Sequence, residues 1–116
     1  MPLNVAWHME NEMAILELEG ALTLGPSLRM LRDKSRELFV QNTVTCLVVK
    51  VAKVSAVDSA GLGELTVIYT LAANRNCRIA LVGVSSSLRA MLEVTRLDGL
   101  LPIAEDVATA KKLFCT

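Results

Sequence analysis

The chain has few aromatic residues and no excess of charge of either sign. Its 116 residues include one Trp, one Tyr and two Phe, and twelve basic residues balance twelve acidic ones to give a formal net charge of +0. A protein that binds nucleic acid directly uses a positive field to attract phosphates and aromatic rings on which bases stack. This composition therefore predicts no direct contact with DNA or RNA.

Long apolar runs, a secretory signal and a cysteine framework are also missing from the sequence. The longest apolar runs, such as residues 44–49, are far shorter than the roughly 20 residues that cross a bilayer. The start of the chain lacks a basic stretch followed by an apolar one, and the three cysteines are widely spaced. Such cysteine usage favours a reducing compartment. We therefore predict a cytoplasmic protein without membrane insertion.

Residue sets that carry catalysis or hold a cofactor are scarce. His8 is the only histidine and falls on a predicted strand, where a single imidazole is more often structural. Residues 58–61 resemble half of a hydrolase nucleophile turn, but Val57 stands where its first glycine belongs. Residues 61–63 lack the third glycine of a dinucleotide loop, and no phosphate loop or metal-ligand spacing occurs. The sequence predicts no enzyme activity, no cofactor and no metal.

The residues that are abundant are aliphatic ones, which form cores. Hydrophobic residues make up 53% of the sequence and charged residues 21%. That balance is too apolar for a disordered chain, and at this length it buries enough surface for the chain to fold alone. No linker, repeat or low-complexity tract divides the sequence, so residues 1–116 are predicted to form a single domain.

Strand and helix patterns alternate along the chain. The apolar run at residues 44–51 is typical of a buried strand, and a helical pattern separates it from a second apolar run at 78–84. A strand, a crossover helix and a strand in this order require two parallel strands. The patterns predict an α/β fold with strands at 3–8, 13–19, 44–51, 78–84 and 100–104, helices at 26–40, 61–74, 88–96 and 106–114, and a loop at 52–60.

The loop after the third predicted strand carries the main functional hypothesis. It leads from a buried strand into a helix, where open α/β sheets place their sites, and Ser59 lies just before the predicted helix start. The N–H groups and the dipole of a helix start favour an anion, so a phosphate on Ser59 would be accepted there. The alternative is that Asp58 or Ser59 serves only as the helix N-cap. The residues by themselves leave both interpretations open.

The helix that follows this loop has apolar residues on two sides. At about 100° per residue, the face predicted to lie on the sheet contains Leu62, Leu65, Thr66, Tyr69, Ala72 and Ala73. The opposite side carries Glu64, Val67, Ile68 and Leu71. Aliphatic residues on an outer helix face predict a protein-docking patch beside Ser59. The alternative is that they form additional core beneath a neighbouring helix.

At these residues the chain resembles the STAS domains of bacterial anti-sigma-factor antagonists. The resemblance runs in order along nearly the whole chain, through residues 19–22, the third strand, and residues 54–63, 79–84 and 92–98. Its most specific part is the segment at 58–63, with the pattern Asp-Ser-x-Gly-Leu-Gly. The resemblance implies a mixed four- to five-stranded sheet with about four helices largely on one side.

The resemblance also implies a function for the loop. In such proteins, an anti-sigma factor with serine-kinase activity phosphorylates the serine that matches Ser59. The unmodified antagonist binds that factor, and the phosphorylated form releases it. We therefore expect Ser59 to be the phosphoacceptor, and a weak homodimer is compatible with this role. The expected partner-binding residues are Thr23, Asp58, Gly61, Leu62, Gly63, Glu64, Val67, Ile68 and Leu71.

The sequence departs from the family pattern close to the predicted site. An aspartate is usual where Thr23 and Lys50 stand, and a second serine is common where Ala60 stands. We expect Lys50 to lie near Ser59 and to attract its phosphate, because a nearby cation stabilises that group. Two other functions stay open: a non-phosphorylated scaffold or transporter-associated subunit, and a sensor of a small ligand or nucleotide.

Overall fold

The computed structural model describes residues 2–114 and contains five strands and four α-helices in that range. The strands are β1 (Asn4–Glu10), β2 (Met13–Leu22), β3 (Cys46–Val57), β4 (Arg78–Val82) and β5 (Ile103–Ala104). The helices are α1 (Pro26–Gln41), α2 (Ser59–Ala73), α3 (Ser86–Val94) and α4 (Val107–Phe114), and a short 3-10 turn covers Leu97–Gly99.

The strands form one mixed sheet in the order β1-β2-β3-β4-β5. β1 and β2 are antiparallel, as expected for strands joined by the two-residue turn at Asn11 and Glu12, and the other three pairs are parallel. A helical crossover connects the strands of each parallel pair, because the chain must return to the same end of the sheet. The predicted α/β fold with a mixed sheet is confirmed.

The sheet has a large apolar core on one face and a smaller one on the other. α1, α2 and α3 cover the large core, where Leu16 of β2 lies in the same buried cluster as Leu31 of α1 and Leu65 of α2. α4 covers the small core, in which its Ala110 joins Val48 of β3. The prediction of helices largely on one side is confirmed, and α4 is the exception.

β3 is longer than the sequence predicted. Residues 52–57, expected in a loop, continue the strand, because β2 extends to Leu22 and pairs with β3 as far as Val57. Two irregularities in the register of this pair allow it to continue with a changed alternation of side chains. The prediction of a loop over 52–60 is therefore wrong, and α2 begins at Ser59 almost directly after the strand.

Several properties of the described residues bear on chemistry rather than on shape. No helix within residues 2–114 is long and apolar enough to cross a membrane. The same range contains no group of three or more His, Cys, Asp or Glu that could hold a metal ion. Burial, together with the neighbouring Cys46, raises the pKa of the Cys77 thiol to about 12, which keeps this thiol protonated at neutral pH. Cys115 lies outside the described residues.

Candidate docking site at the start of helix α2

Asp58 connects three segments of the chain at the point where β3 ends and α2 begins. Its Oδ1 accepts a hydrogen bond from the backbone N–H of Gly61 at 2.8 Å, which makes Asp58 the N-cap of α2. Its Oδ2 accepts a second bond, at 2.9 Å, from the N–H of Leu24 in the turn between β2 and α1. The bond from Leu24 and then the bond from Gly61 lower the pKa of the Asp58 carboxyl below its ordinary value.

Gly61 allows α2 to approach the end of β2 closely. A Cβ added at this position would lie 1.8 Å from the carbonyl oxygen of Leu22, which is far inside van der Waals contact. The same carbonyl accepts the N–H of Asp58 at 3.3 Å. The predicted partner-binding residues Asp58 and Gly61 therefore place the start of α2 on the sheet, whatever else they contact.

Ser59 is the first residue of α2 and its side chain is exposed. Its hydroxyl is therefore accessible without unfolding of the helix. The Asp58 carboxylate already occupies the N–H of Gly61, so a phosphate on Ser59 would find part of the helix start in use by another anion. The alternative interpretation, an N-cap, is correct for Asp58, and phosphorylation of the accessible Ser59 stays a prediction.

An apolar groove of about 370 Å³ lies beside Ser59, between α2 and α3. Its lining residues are Ser59, Leu62, Ala90, Met91, Val94 and Thr95. None of them carries a charge. The Val94 side chain is 84% exposed, although it belongs to a helix that buries Leu92 completely. Leu24, whose N–H bonds to Asp58 next to Ser59 in the chain, is 80% exposed. Val94 in the groove and Leu24 at the Asp58 bond are thus two exposed aliphatic residues at the start of α2.

The outer face of α2 is small and uncharged. Gly63 and Thr70 are exposed along it, and Val67 is half-buried. The hydroxyl of Thr70 donates to the carbonyl oxygen of Thr66 at 3.0 Å, one turn back in the same helix, so it offers little unsatisfied polarity to the surface. This face, together with Leu24 and the groove beside Ser59, is called the α2 surface below.

The predicted docking patch on α2 is wrong for two of its four residues. Ile68 has 0% exposure and belongs to the large core, and Glu64 is buried. The Glu64 carboxylate pairs with Arg32 of α1, with Nη2 to Oε1 at 2.5 Å and Nε to Oε2 at 3.4 Å. Leu71 is half-buried on the same side, next to the core. The alternative interpretation, additional core beneath a neighbouring helix, is correct for Glu64 and Ile68, and only Val67 borders the outer face.

Lys50 does not lie beside Ser59, so its predicted role as a phosphate neighbour is wrong. Its Nζ is 3.7 Å from Glu17 Oε2, the residue opposite it on β2. At the strand rise, Val57 lies roughly 20 Å further along β3. The flanking Val49 and Val51 face the large core, so Lys50 points to the opposite face of the sheet from α2.

The structure brings together some predicted residues and adds others that the sequence did not single out. Thr23 precedes Leu24 in the turn that Asp58 holds, so it lies near the helix start as predicted. Leu24 itself and Val94 were missed. Val94 has a signal in the sequence, because an aliphatic residue follows Glu93 on the polar side of an amphipathic helix. Leu24 has none, since an aliphatic residue in a turn is exposed or buried according to its neighbours in space.

Comparisons with known proteins agree on the fold of this chain. A family model described as "Mlab, STAS domain" matches residues 5–102. No curated protein matches the chain in sequence. An anti-sigma factor antagonist from Mycobacterium paratuberculosis is 15% identical with a TM-score of 0.78, over 98% of this chain and 95% of that one. At 15% identity, this likeness is one of fold.

Two further solved structures are similar to the chain. The Bacillus cell fate determinant SpoIIAA, in its phosphorylated form, is 19% identical with a TM-score of 0.73, over 95% of this chain and 99% of that one. A sulfate transporter family protein from Wolinella succinogenes is 17% identical with a TM-score of 0.74, over 93% of this chain and 91% of that one. The same fold is therefore shared by a phosphorylated cell fate determinant and by a sulfate transporter family protein.

Proposed function

The chain belongs to the STAS domain family, whose model matches most of its length, and from this premise we propose that it is a non-enzymatic module that binds another protein through the α2 surface. We propose further that phosphorylation of Ser59 releases that protein. The partner is an anti-sigma factor with serine-kinase activity, so the chain acts as an anti-sigma-factor antagonist in the cytoplasm. The observation that carries the proposal is the exposed Ser59 in an apolar groove with the exposed Val94, directly after Asp58, to which the N–H of the exposed Leu24 bonds.

The composition of the α2 surface supports a protein as the partner. Leu24 and Val94 expose most of their apolar area, and Val67 and Gly63 add a face without charge. Burying such area away from water is favourable, and the centres of protein interfaces are depleted of charged residues. The only charged side chain on α2 between its first residue and Ala73 is Glu64, which Arg32 neutralises away from this surface.

The position of Ser59 explains how one modification could break the contact. A phosphate brings about −1.5 to −2 charges to the surface, beside the Asp58 carboxylate that already accepts the nearest helix N–H. An interface that covered it would bury a charge without a partner. Such a charge costs about 2–5 kcal/mol, which corresponds to a roughly 30-fold to several-thousand-fold loss of affinity.

The experiment that tests this proposal compares two phosphate mimics. The chain is mixed with a serine-kinase anti-sigma factor and MgATP, the phosphorylated residue is mapped by mass spectrometry, and binding is measured for Ser59→Asp. The control is Ser86→Asp, because Ser86 is also an exposed first residue of a helix, α3, but does not line the groove. We expect Ser59→Asp to lose binding and Ser86→Asp to keep it. Equal binding by Ser59→Asp and the unmodified chain would contradict the switch.

The second candidate is a transporter-associated STAS subunit that is not phosphorylated. It is favoured by the Asp58 cap, which gives the start of α2 a purely structural role, and by the likeness to a transporter family protein. In that case the α2 surface still docks a protein, and Ser59→Asp leaves the affinity unchanged.

A nucleotide sensor is less well supported, because the groove beside Ser59 has no charged side chain to hold a phosphate. Saturable nucleotide binding in calorimetry would favour it.

A further inference from the structure

The outer edge of β1 is unpaired among the described residues. β1 ends the sheet, and its register with β2 runs without interruption from Asn4 opposite Glu19 to Glu10 opposite Met13. Glu10 and Met13 close the two-residue turn and are therefore a hydrogen-bonded pair. Along an antiparallel ladder, hydrogen-bonded pairs alternate with pairs that are not hydrogen-bonded. The backbone groups of the even-numbered residues of β1 therefore bond to β2. Those of Val5, Trp7 and Met9 point away from the sheet.

This edge lacks the features that prevent edge strands from pairing. Between residues 4 and 10 there is no lysine, no proline and no bulge. Glu10 carries the only acidic group, and it lies 3.4 Å from Lys111 Nζ and 3.9 Å from His8 Nε2. A seven-residue strand of this kind is long enough to accept a second strand along most of its length.

The strand is complementary to a copy of itself. In an antiparallel pair of two β1 strands centred on Trp7, each residue whose backbone groups point away from the sheet lies opposite another such residue. Trp7 lies opposite Trp7 of the second copy, and Val5 lies opposite Met9 of the second copy. All three are half-buried apolar side chains on the helix-covered face. On the other face, pairing by this register places Ala6 opposite His8 and Asn4 opposite Glu10. No like charges face each other, which is the condition for favourable cross-strand pairs.

We propose that two copies of this chain pair through β1, antiparallel about Trp7, and form a homodimer with one continuous ten-stranded sheet. The inference goes beyond the docking function proposed above, because none of the residues of the α2 surface lies on β1, the edge strand, and α2 contacts β2, β3 and β4. The dimer leaves both α2 surfaces open. A result at β1 and a result at Ser59 are therefore independent of each other.

Amide hydrogen exchange tests the register directly. The exchange rates of the full chain are compared at micromolar and millimolar concentration. We expect slower exchange at high concentration for the N–H groups of Val5, Trp7 and Met9, and unchanged rates for Ala6 and His8, whose N–H groups already bond to β2. Trp7 is the only tryptophan, so its fluorescence should change with concentration as well. A chain that stays monomeric in sedimentation at millimolar concentration would overturn the proposal.

Charge variants at Ala6 and His8 provide the matched control, because both side chains are exposed and lie opposite each other only in this register. The double variant Ala6→Lys with His8→Lys creates two like-charge pairs and should raise the dimer Kd by about tenfold at low salt. The double variant Ala6→Lys with His8→Glu creates two opposite-charge pairs and should restore dimerisation. A dimer that responds equally to both variants uses another surface, and that result would refute pairing through β1.

Discussion

Two glycines of α2, Gly61 and Gly63, are only two residues apart and therefore lie on nearly opposite sides of the helix, so they have opposite surroundings and should respond in opposite directions to the same substitution. A Cβ at Gly61 would lie 1.8 Å from the Leu22 carbonyl oxygen and 2.7 Å from its carbon. A Cβ at Gly63 would meet nothing within 4 Å. Since both residues belong to one helix, the intrinsic helix propensity gained with alanine is the same at both positions.

The magnitudes follow from this contrast. Gly63→Ala should raise the free energy of unfolding by about 0.5–1 kcal/mol, because alanine loses less backbone entropy in a helix. For a domain of this size the melting temperature would rise by roughly 2–4 °C. Gly61→Ala gains the same propensity but forces α2 away from β2, and overpacking of this kind costs about 1–3 kcal/mol or more. We expect it to lower the free energy of unfolding by about 2 kcal/mol.

Urea unfolding followed by circular dichroism measures both variants, and partner binding gives a second readout. Gly63→Ala should weaken binding to the partner of the α2 surface while it stabilises the chain, because the added methyl group stands on the face that we propose is covered. A change that stabilises the fold yet weakens binding cannot be explained by unfolding. The reasoning fails if Gly61→Ala is as stable as the native chain, or if Gly63→Ala is less stable.

The remaining predictions concern charge and apolar exposure around the same helix. Asp58→Asn should be less stable than the native chain at neutral pH, because the folded state lowers the pKa of the Asp58 carboxyl and is therefore stabilised by its ionised form. This difference in the free energy of unfolding should vanish as the pH falls below 3.8 and through the folded pKa. Urea titrations at several pH values measure it. Arg32→Ala leaves the buried Glu64 carboxylate unpaired and should cost about 2 kcal/mol in unfolding experiments, whereas adding Glu64→Leu should recover most of that loss. Val94→Ser should weaken partner binding at least several-fold and leave the urea midpoint nearly unchanged, because the side chain is 84% exposed; unchanged binding would remove the groove from the docking site. Lys50→Ala should leave the dephosphorylation rate of Ser59 unchanged, and an altered rate would contradict the separation of the two residues.

The local signals of the sequence placed the start of α2 within two residues of Ser59, where the helix begins. A strand followed by Asp58, Ser59 and a helical pattern predicts an N-cap at one of these two residues, and Asp58 caps α2, because capping depends on residues only three positions apart. The order of strands and crossover helices likewise leads to a parallel sheet. These features depend on contacts between near neighbours or on chain connectivity, which a sequence contains directly.

The orientation of α2 about its own axis could not be obtained in the same way. Its residues are apolar on several sides, so a period of 3.6 residues identifies the helix but not which side faces the sheet. The packing of α1 against α2 buries Ile68 and pairs Glu64 with Arg32, and it leaves Gly63 and Val67 toward the outside. Lys50 was misplaced for a related reason, because the extension of β3 depends on how far β2 continues beside it.

The amino-acid sequence by itself determined the class of fold, a helix cap at Asp58 or Ser59 and the serine at which a charge could act. Only the tertiary structure decided which aliphatic side chains remain exposed around that serine and which edge of the sheet stays unpaired. The physical reason is that the hydrophobic effect is non-directional and acts between segments that are far apart in the sequence. The same leucine or valine is core or surface according to what other segments place over it.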